Sequence, residues 1–190
     1  MTRACDGCTL CCKLIPVEEI DKPRTTWCSH TAQDKHSCSI YASRPISCVM
    51  WSCRWLTDDT IPYDLKPDKV GFVIDPVLED VQLTNPDTNE SIIVKAVQVW
   101  VDAGHEDFWR LPKYRTMVLH WMAQGHLCII RTKTPTDGRC LMPDGQGGIT
   151  LQRHTIDYDM VSAKIKATIE RIRRTSTAPK HVPPTEEAHD

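Results

Sequence analysis

The sequence CDGCTLCC at residues 5–12 places four cysteines within eight positions. A spacing of two residues lets two thiolates converge on one ion, and it leaves the backbone amides of the turn free to hydrogen-bond the sulfurs. If the segment were one helix, a rise of about 1.5 Å per residue would spread its thiols over about 10 Å. Zn–S bonds of about 2.3 Å cannot bridge that span. The segment therefore predicts a loop around one centre, or two ends that serve different centres.

The adjacent pair Cys11-Cys12 favours the second arrangement, because neighbouring side chains point in different directions. Further cysteines follow at intervals of up to fifteen residues, which is acceptable because the entropic cost of closing a loop grows slowly with its length. Eight thiols suffice for two four-thiolate sites, or for one cluster with ligands in reserve, and His30 and His36 could replace a sulfur. The predicted metal ligands are Cys5, Cys8, Cys11, Cys12, Cys28, Cys38, Cys48 and Cys53.

The placement of the ten cysteines points to a local cause, because only Cys128 and Cys140 lie beyond residue 53. The chain has no apolar run suited to a secretory signal and no stretch long enough to cross a bilayer. We therefore expect a cytoplasmic protein without a membrane partner, whose thiols are kept reduced. Compartment and spacing together favour metal binding over a disulfide scaffold and over redox or catalytic thiols without metal.

Length, net charge and motifs limit the classes of function that the chain could have. A length of 190 residues suits one domain, or one domain that carries a small metal-organised module. A formal net charge of -2 argues against a broad electrostatic binder of nucleic acid. No bulk property indicates a protein partner. We find no Ser-His-Asp or paired-carboxylate arrangement, so the sequence does not favour an enzyme.

The chain divides into three parts. Residues 1–56 read as short helical turns and loops that bury little apolar surface, and we predict that they form a cysteine-rich module that chelates zinc or iron. Four thiolates on a structural zinc contribute roughly 10–16 kcal/mol of apparent binding energy, more than a few aliphatic side chains at about 1.5–3 kcal/mol each. Residues 57–174 are predicted to form a small α+β portion, and residues 175–190 a disordered tail.

The α+β portion is predicted from its apolar patterns. Residues 91–101 are rich in β-branched side chains, and a turn at 85–87 makes a hairpin of 77–83 with 92–101. The other predicted elements are strands at 70–75, 127–131 and 139–142 and helices at 106–124 and 158–174. The expected fold class is α+β, with the cysteine-rich module packed on a small antiparallel sheet with two helices.

Several residues beside the cysteines have predicted roles. A four-thiolate zinc site carries a net charge near -2, and the Arg44 guanidinium could offset it and hydrogen-bond a sulfur. Pro45 can open a helix and present Cys48 one turn later. Tyr41 and Trp55 are expected to pack the module.

The two remaining cysteines and three further histidines lie outside the predicted set of metal ligands. Cys128 lies within an apolar strand and is expected to be a buried core thiol, whereas Cys140 is ambiguous. His105, His120 and His126 are too scattered to be proposed as ligands.

The motif extends beyond the opening cysteines. WCSH at 27–30, CSIYASRPISC at 38–48, CRWL at 53–56 and LKPDKVG at 65–71 follow CDGCTLCC in order. The pattern resembles the CxxCxxCC zinc- or iron-chelating domain proteins, the YkgJ-type group. The resemblance implies chelation of zinc or iron and leaves the ion open. The clustered cysteines could also hold an iron–sulfur cluster.

Some of those proteins are fused to, or form part of, flagellin lysine methylases. The resemblance therefore implies an alternative, an enzyme or accessory subunit whose metal centre supports methyl or electron transfer. A site closed by four cysteines argues for structure, and an open coordination position argues for catalysis.

Overall fold

The computed structural model describes residues 3–133 and 138–156, without the side chains of 76–79. The helix predicted at 158–174 and the tail at 175–190 lie outside the described residues. Within the described ranges, no helix is both long enough and apolar enough to cross a membrane.

The segment that precedes the sheet consists of short helices and turns, as its prolines predict. The α-helices are α1 (Leu10–Leu14), α2 (Ile46–Met50), α3 (Arg54–Thr57) and α4 (Pro67–Val70), and 3-10 turns lie at Glu18–Ile20, Tyr41–Ser43 and Tyr63–Leu65. Pro45 directly precedes α2, and Cys48 is the third residue of that helix. Isolated helices this short are unstable in water, so their stability depends on what they contact.

Five strands form one sheet in the described part of the chain. They are β1 (Phe72–Thr84), β2 (Ser91–Val101), β3 (Leu127–Arg131), β4 (Gly138–Pro143) and β5 (Ile149–Ile156). Each strand pairs with the next in sequence, and β5 pairs with β1, so the sheet closes on itself. The pairings are antiparallel except that of β2 with β3, which is parallel.

The parallel pair corrects the prediction of a wholly antiparallel sheet. Parallel neighbours need a crossover connection, and the segment between β2 and β3 supplies one through helix α5 (Pro112–Ala123). The helix predicted at 106–124 therefore begins at Pro112, after a 3-10 turn at Phe108–Arg110. The coarser part of the prediction, an α+β fold built on a sheet whose pairings are otherwise antiparallel, is confirmed.

The predicted hairpin is confirmed as β1 and β2, with Val81 opposite Val94. The strand predicted to end before Pro76 instead continues to Thr84, and the pairing shifts register between Ile74 and Leu78. Because proline cannot donate a ladder hydrogen bond, such irregularities are where strands accommodate it.

One apolar cluster joins the N-terminal helices to the sheet. Leu10, Leu14 and Trp55 belong to the same buried cluster as Phe72 and Val73. Trp55 is 2% exposed, as its predicted packing role requires.

Tyr41 contradicts its predicted packing role. Its side chain is 63% exposed, and the Arg44 guanidinium lies 4.0 Å from the centre of its ring. The ring therefore stacks with a cation at the surface instead of filling the module.

We expect substitution of Gly71 to destabilise the fold strongly. It caps α4 with a left-handed φ of +74°, and an added Cβ would collide with the ring of His105. Gly104 has a similar φ of +87°, but its Cβ would meet nothing within 4 Å. We expect Gly71→Ala to lower the free energy of unfolding by about 2–4 kcal/mol and Gly104→Ala by about 1–2 kcal/mol. Equilibrium urea unfolding measures both, and equal losses would show that the His105 ring moves aside without cost.

Candidate metal centre

All ten cysteines lie in the described residues, and all are free thiols. Of the eight predicted ligands, Cys53 is buried, Cys5 is exposed and the other six are half-buried. No disulfide joins the predicted ligands, and most of them are partly shielded from water.

The opening motif is half turn and half helix. Cys5 and Cys8 belong to a turn in which the Cys8 N–H donates to the Cys5 carbonyl at 2.9 Å. The two residues after Cys5 have positive φ values, and α1 begins only at Leu10. Cys11 and Cys12 therefore lie on a helix, whereas Cys5 and Cys8 lie in the preceding turn.

Cys5, Cys8 and Cys53 form what we term the first thiol group. Burial is the main cause that raises the pKa of Cys53 to about 11, and Cys5 and Cys8 add to the rise. Burial also raises the pKa of Cys8, and Asp68 and Cys5 act in the same direction. Cys53 thus lies within electrostatic range of Cys5 and Cys8, although 45 positions separate Cys8 from Cys53 in the chain.

Cys12, Cys28, Cys38 and Cys48 form the second thiol group. Burial raises the pKa of Cys48 to about 11, and the nearby Cys12, Glu19, Cys28 and Cys38 raise it further. The backbone closes the long intervals between these residues.

Two backbone contacts perform this closure. The Cys28 N–H donates to the Cys12 carbonyl at 3.0 Å. Thr31 and Cys38 form an isolated antiparallel bridge. The two contacts bring the backbone of Cys28 against Cys12 and fold the segment from Thr31 to Cys38 back on itself.

The adjacent pair Cys11-Cys12 connects the two groups. A hydrogen bond between the two side chains raises the pKa of Cys11 well above its usual value, and burial adds to the rise. The same hydrogen bond is the largest cause that lowers the pKa of Cys12 to about 7. Cys11 is also affected by Cys8 and Cys5, which places it beside the first thiol group.

Two buried lysines lie beside the thiols and were not predicted from the sequence. Lys22 is 6% exposed and Lys66 is 8% exposed. Cys28, Cys12, Cys11 and Cys48 all act on the charge of Lys22, and Lys66 acts on Cys5. No sequence pattern marked either lysine, because their burial depends on carbonyls that the tertiary fold brings together.

The other side chains predicted to lie beside the cysteines are Arg44, His36 and His30. Partial burial of the sulfur raises the pKa of Cys5, and the positive charge of Arg44 acts against that rise. Within the described ranges Arg44 makes no hydrogen bond to a cysteine sulfur. The His36 Nδ1 lies 3.2 Å from the Gly7 carbonyl oxygen, and the His30 carbonyl accepts a hydrogen bond from the Ser39 N–H.

The two remaining cysteines belong to the sheet. Cys128 on β3 and Cys140 on β4 are both fully buried, which confirms Cys128 as a core thiol and gives Cys140 the same role. Burial raises the pKa of Cys140 to about 12 and that of Cys128 further still. Both are therefore neutral, apolar-like side chains.

The described residues do not bring a complete ligand set to coordination distance. Among them, no three side chains of His, Cys, Asp or Glu converge closely enough to hold a metal ion. The chemistry of the donors still suits zinc or iron, because both are bound by clustered thiolates. The metal centre therefore stays a prediction, and it rests on the chemistry of the two thiol groups.

Comparisons with family models, with curated proteins and with solved structures find no match to this chain. The resemblance to the CxxCxxCC group accordingly stays a prediction.

Proposed function

We propose that the chain is a metal-binding protein with two all-cysteine sites that bind zinc or iron. The observation that carries the proposal is that cysteines far apart in the chain are brought together. The Cys28 N–H donates to the Cys12 carbonyl at 3.0 Å, and Cys53 lies within electrostatic range of Cys5 and Cys8. One site would use the first thiol group together with Cys11, and the other would use the second thiol group.

The assignment of Cys11 follows from the environment of its sulfur. Cys12 is the leading neighbouring charge on Cys48 and also on Cys5, so it borders both groups. We assign it to the second site because the Cys28 N–H donates to its carbonyl at 3.0 Å. Cys11 is influenced by Cys8 and Cys5, and the first thiol group has three members. Each site then has four thiolates, the number typical of structural zinc and of iron–sulfur clusters.

The local structure explains why metal would matter to folding. The helices α1, α2 and α3 have five, five and four residues, which is far below the length at which isolated helices are stable. Four of the eight cysteines lie in these helices or cap them. Metal–thiolate bonds would therefore tie the helices and their loops to one another, and binding energy would become folding energy.

The ion decides what else the protein does. Zinc in a closed four-thiolate site would be structural, because no position remains for a substrate. An iron–sulfur cluster in either site would supply one-electron chemistry, with its potential set by the surrounding charges.

Anaerobic purification, followed by elemental analysis and a visible absorption spectrum, tests the proposal. We expect either zinc without a visible band, or iron and sulfide with a broad brown absorbance. The first result would exclude the iron–sulfur form, and the second would exclude structural zinc. A well-folded chain that contains neither metal, and that takes up none from solution, would contradict the proposal.

A further inference from the structure

The two buried lysines each lie against one of the thiol groups, and neither is explained by the fold alone. Lysine is almost never fully buried unless its charge is paired. An ammonium in such a position needs hydrogen-bond acceptors and a compensating negative charge, because removing it from water is costly.

Lys22 has its full complement of hydrogen bonds. Its Nζ donates to the carbonyls of Lys13 at 3.1 Å, Pro23 at 3.0 Å and Ile15. Three acceptors match the three N–H groups of an ammonium, whereas a neutral amine has only two to give. The geometry therefore describes a charged side chain.

The charge of Lys22 lies beside the second thiol group. Burial lowers the pKa of Lys22, and Cys28 and Cys12 act against that change. Its Nζ also donates to the carbonyl of Lys13, the residue directly after Cys12. A positive charge is thus held next to thiols that would become negative on binding metal.

Lys66 repeats the arrangement at the first thiol group with one difference. Its Nζ donates to the Asp6 carbonyl at 3.1 Å, and its charge acts on Cys5. It also lies 3.9 Å from the carboxylate of Asp68, so part of its charge is already offset.

The two lysines share a structural signature. Lys66 binds the carbonyl of Asp6, the residue directly after Cys5, and Lys22 binds the carbonyl of Lys13, the residue directly after Cys12. Each ammonium is therefore fixed to the backbone that presents a cysteine, one in each thiol group.

We infer that Lys22 and Lys66 stabilise the metal-loaded sites by offsetting their negative charge, Lys22 at the second thiol group and Lys66 at the first. The inference rests on the proposed function. Four thiolates with one zinc ion leave a net charge near -2, and a fixed ammonium beside that charge favours the loaded state. Because Asp68 shares the charge of Lys66, Lys22 has the larger effect.

Zinc competition on the full-length chain tests this. The metal-free protein is titrated anaerobically with Zn²⁺ against a chromophoric chelator. We expect Lys22→Met to weaken one of the two sites by roughly 10- to 100-fold, the usual effect of losing a partner of metal ligands. Lys66→Met should weaken the other site by a smaller factor.

Two replacements separate charge from hydrogen bonding at position 22. Lys22→Arg keeps the charge and should bind zinc close to the wild-type affinity, whereas Lys22→Gln keeps a donor without the charge and should behave like Lys22→Met. If Gln restores affinity as well as Arg does, the side chain acts only by capping carbonyls and the inference is overturned.

Matched controls locate the effect. Lys13→Met removes a lysine next to Cys12 whose charge is already paired with Asp102 at 2.7 Å, so zinc affinity should not change. Lys69→Met removes an exposed lysine from the same helix as Asp68 and serves as the control for Lys66→Met. If Lys22→Met fails to fold, the Lys66→Met and Lys69→Met pair decides the question.

The outcomes also distinguish the two proposals. A wild-type chain that binds no zinc or iron contradicts the proposed function. A wild-type chain that binds two zinc ions, with both lysine-to-methionine variants at wild-type affinity, overturns the charge-offset inference alone.

Discussion

Cys53→Ser is expected to halve the bound metal, from two ions or clusters to one. Cys53 caps the start of α3, and it lies within electrostatic range of Cys5 and Cys8. Serine cannot replace the thiolate, so the site of the first thiol group would have only three thiol ligands. Elemental analysis per folded chain, after anaerobic purification, gives the stoichiometry.

Two further variants make the result specific. Cys48→Ser should also halve the metal content, but at the other site, so the double variant should bind none. Cys128→Ser removes a fully buried thiol in β3 and should keep both ions. If Cys53→Ser alone releases all the metal, the eight thiols serve one shared centre and the division into two groups is wrong.

Trp55→Ala is expected to lower the free energy of unfolding by about 3–5 kcal/mol, as large aromatic truncations in a core do. The side chain is 2% exposed, its indole N–H donates to the Tyr63 carbonyl at 3.1 Å, and the Arg3 guanidinium lies 5.1 Å from its ring. It joins the cysteine-rich segment to the cluster that includes Phe72. Equilibrium urea unfolding at fixed metal content measures the loss.

Tyr41→Ala is the matched control for this truncation. The residue is an aromatic of the same segment, but its side chain is 63% exposed, so the change should stay within about 0.5 kcal/mol. Comparable losses for the two variants would show that the segment does not depend on its contact with the sheet.

The parts of the fold that were predictable are those with strong local signals. The β-branched run at 91–101 and the turn before it specify a hairpin, and β1 and β2 form it. The strand β5 was missed because four of its eight residues are exposed, among them Leu151 and Arg153, so it lacks a buried stripe. Closure of the sheet depends on Leu83 meeting Ile156, a contact across 73 positions that no local pattern encodes.

The candidate site shows the same division between local and tertiary signals. Spacing alone suggests the eight thiols as candidate ligands and different directions for Cys11 and Cys12, because adjacent side chains cannot point the same way; their role as ligands stays a prediction. Which thiols lie together could not be inferred, since the association of Cys53 with Cys5 depends on the packing of α3. The burial of Lys22 could not be predicted from the sequence, because lysine is ordinarily a surface residue.

Native mass spectrometry of the anaerobically purified chain, compared with the acid-denatured chain, tests the central claim most directly. The difference between the two masses gives the number and the kind of bound ions. Two metal ions or clusters per chain is the predicted result. A natively folded chain whose mass matches that of the metal-free polypeptide, or one that holds a single ion in every preparation, would contradict the two-site account.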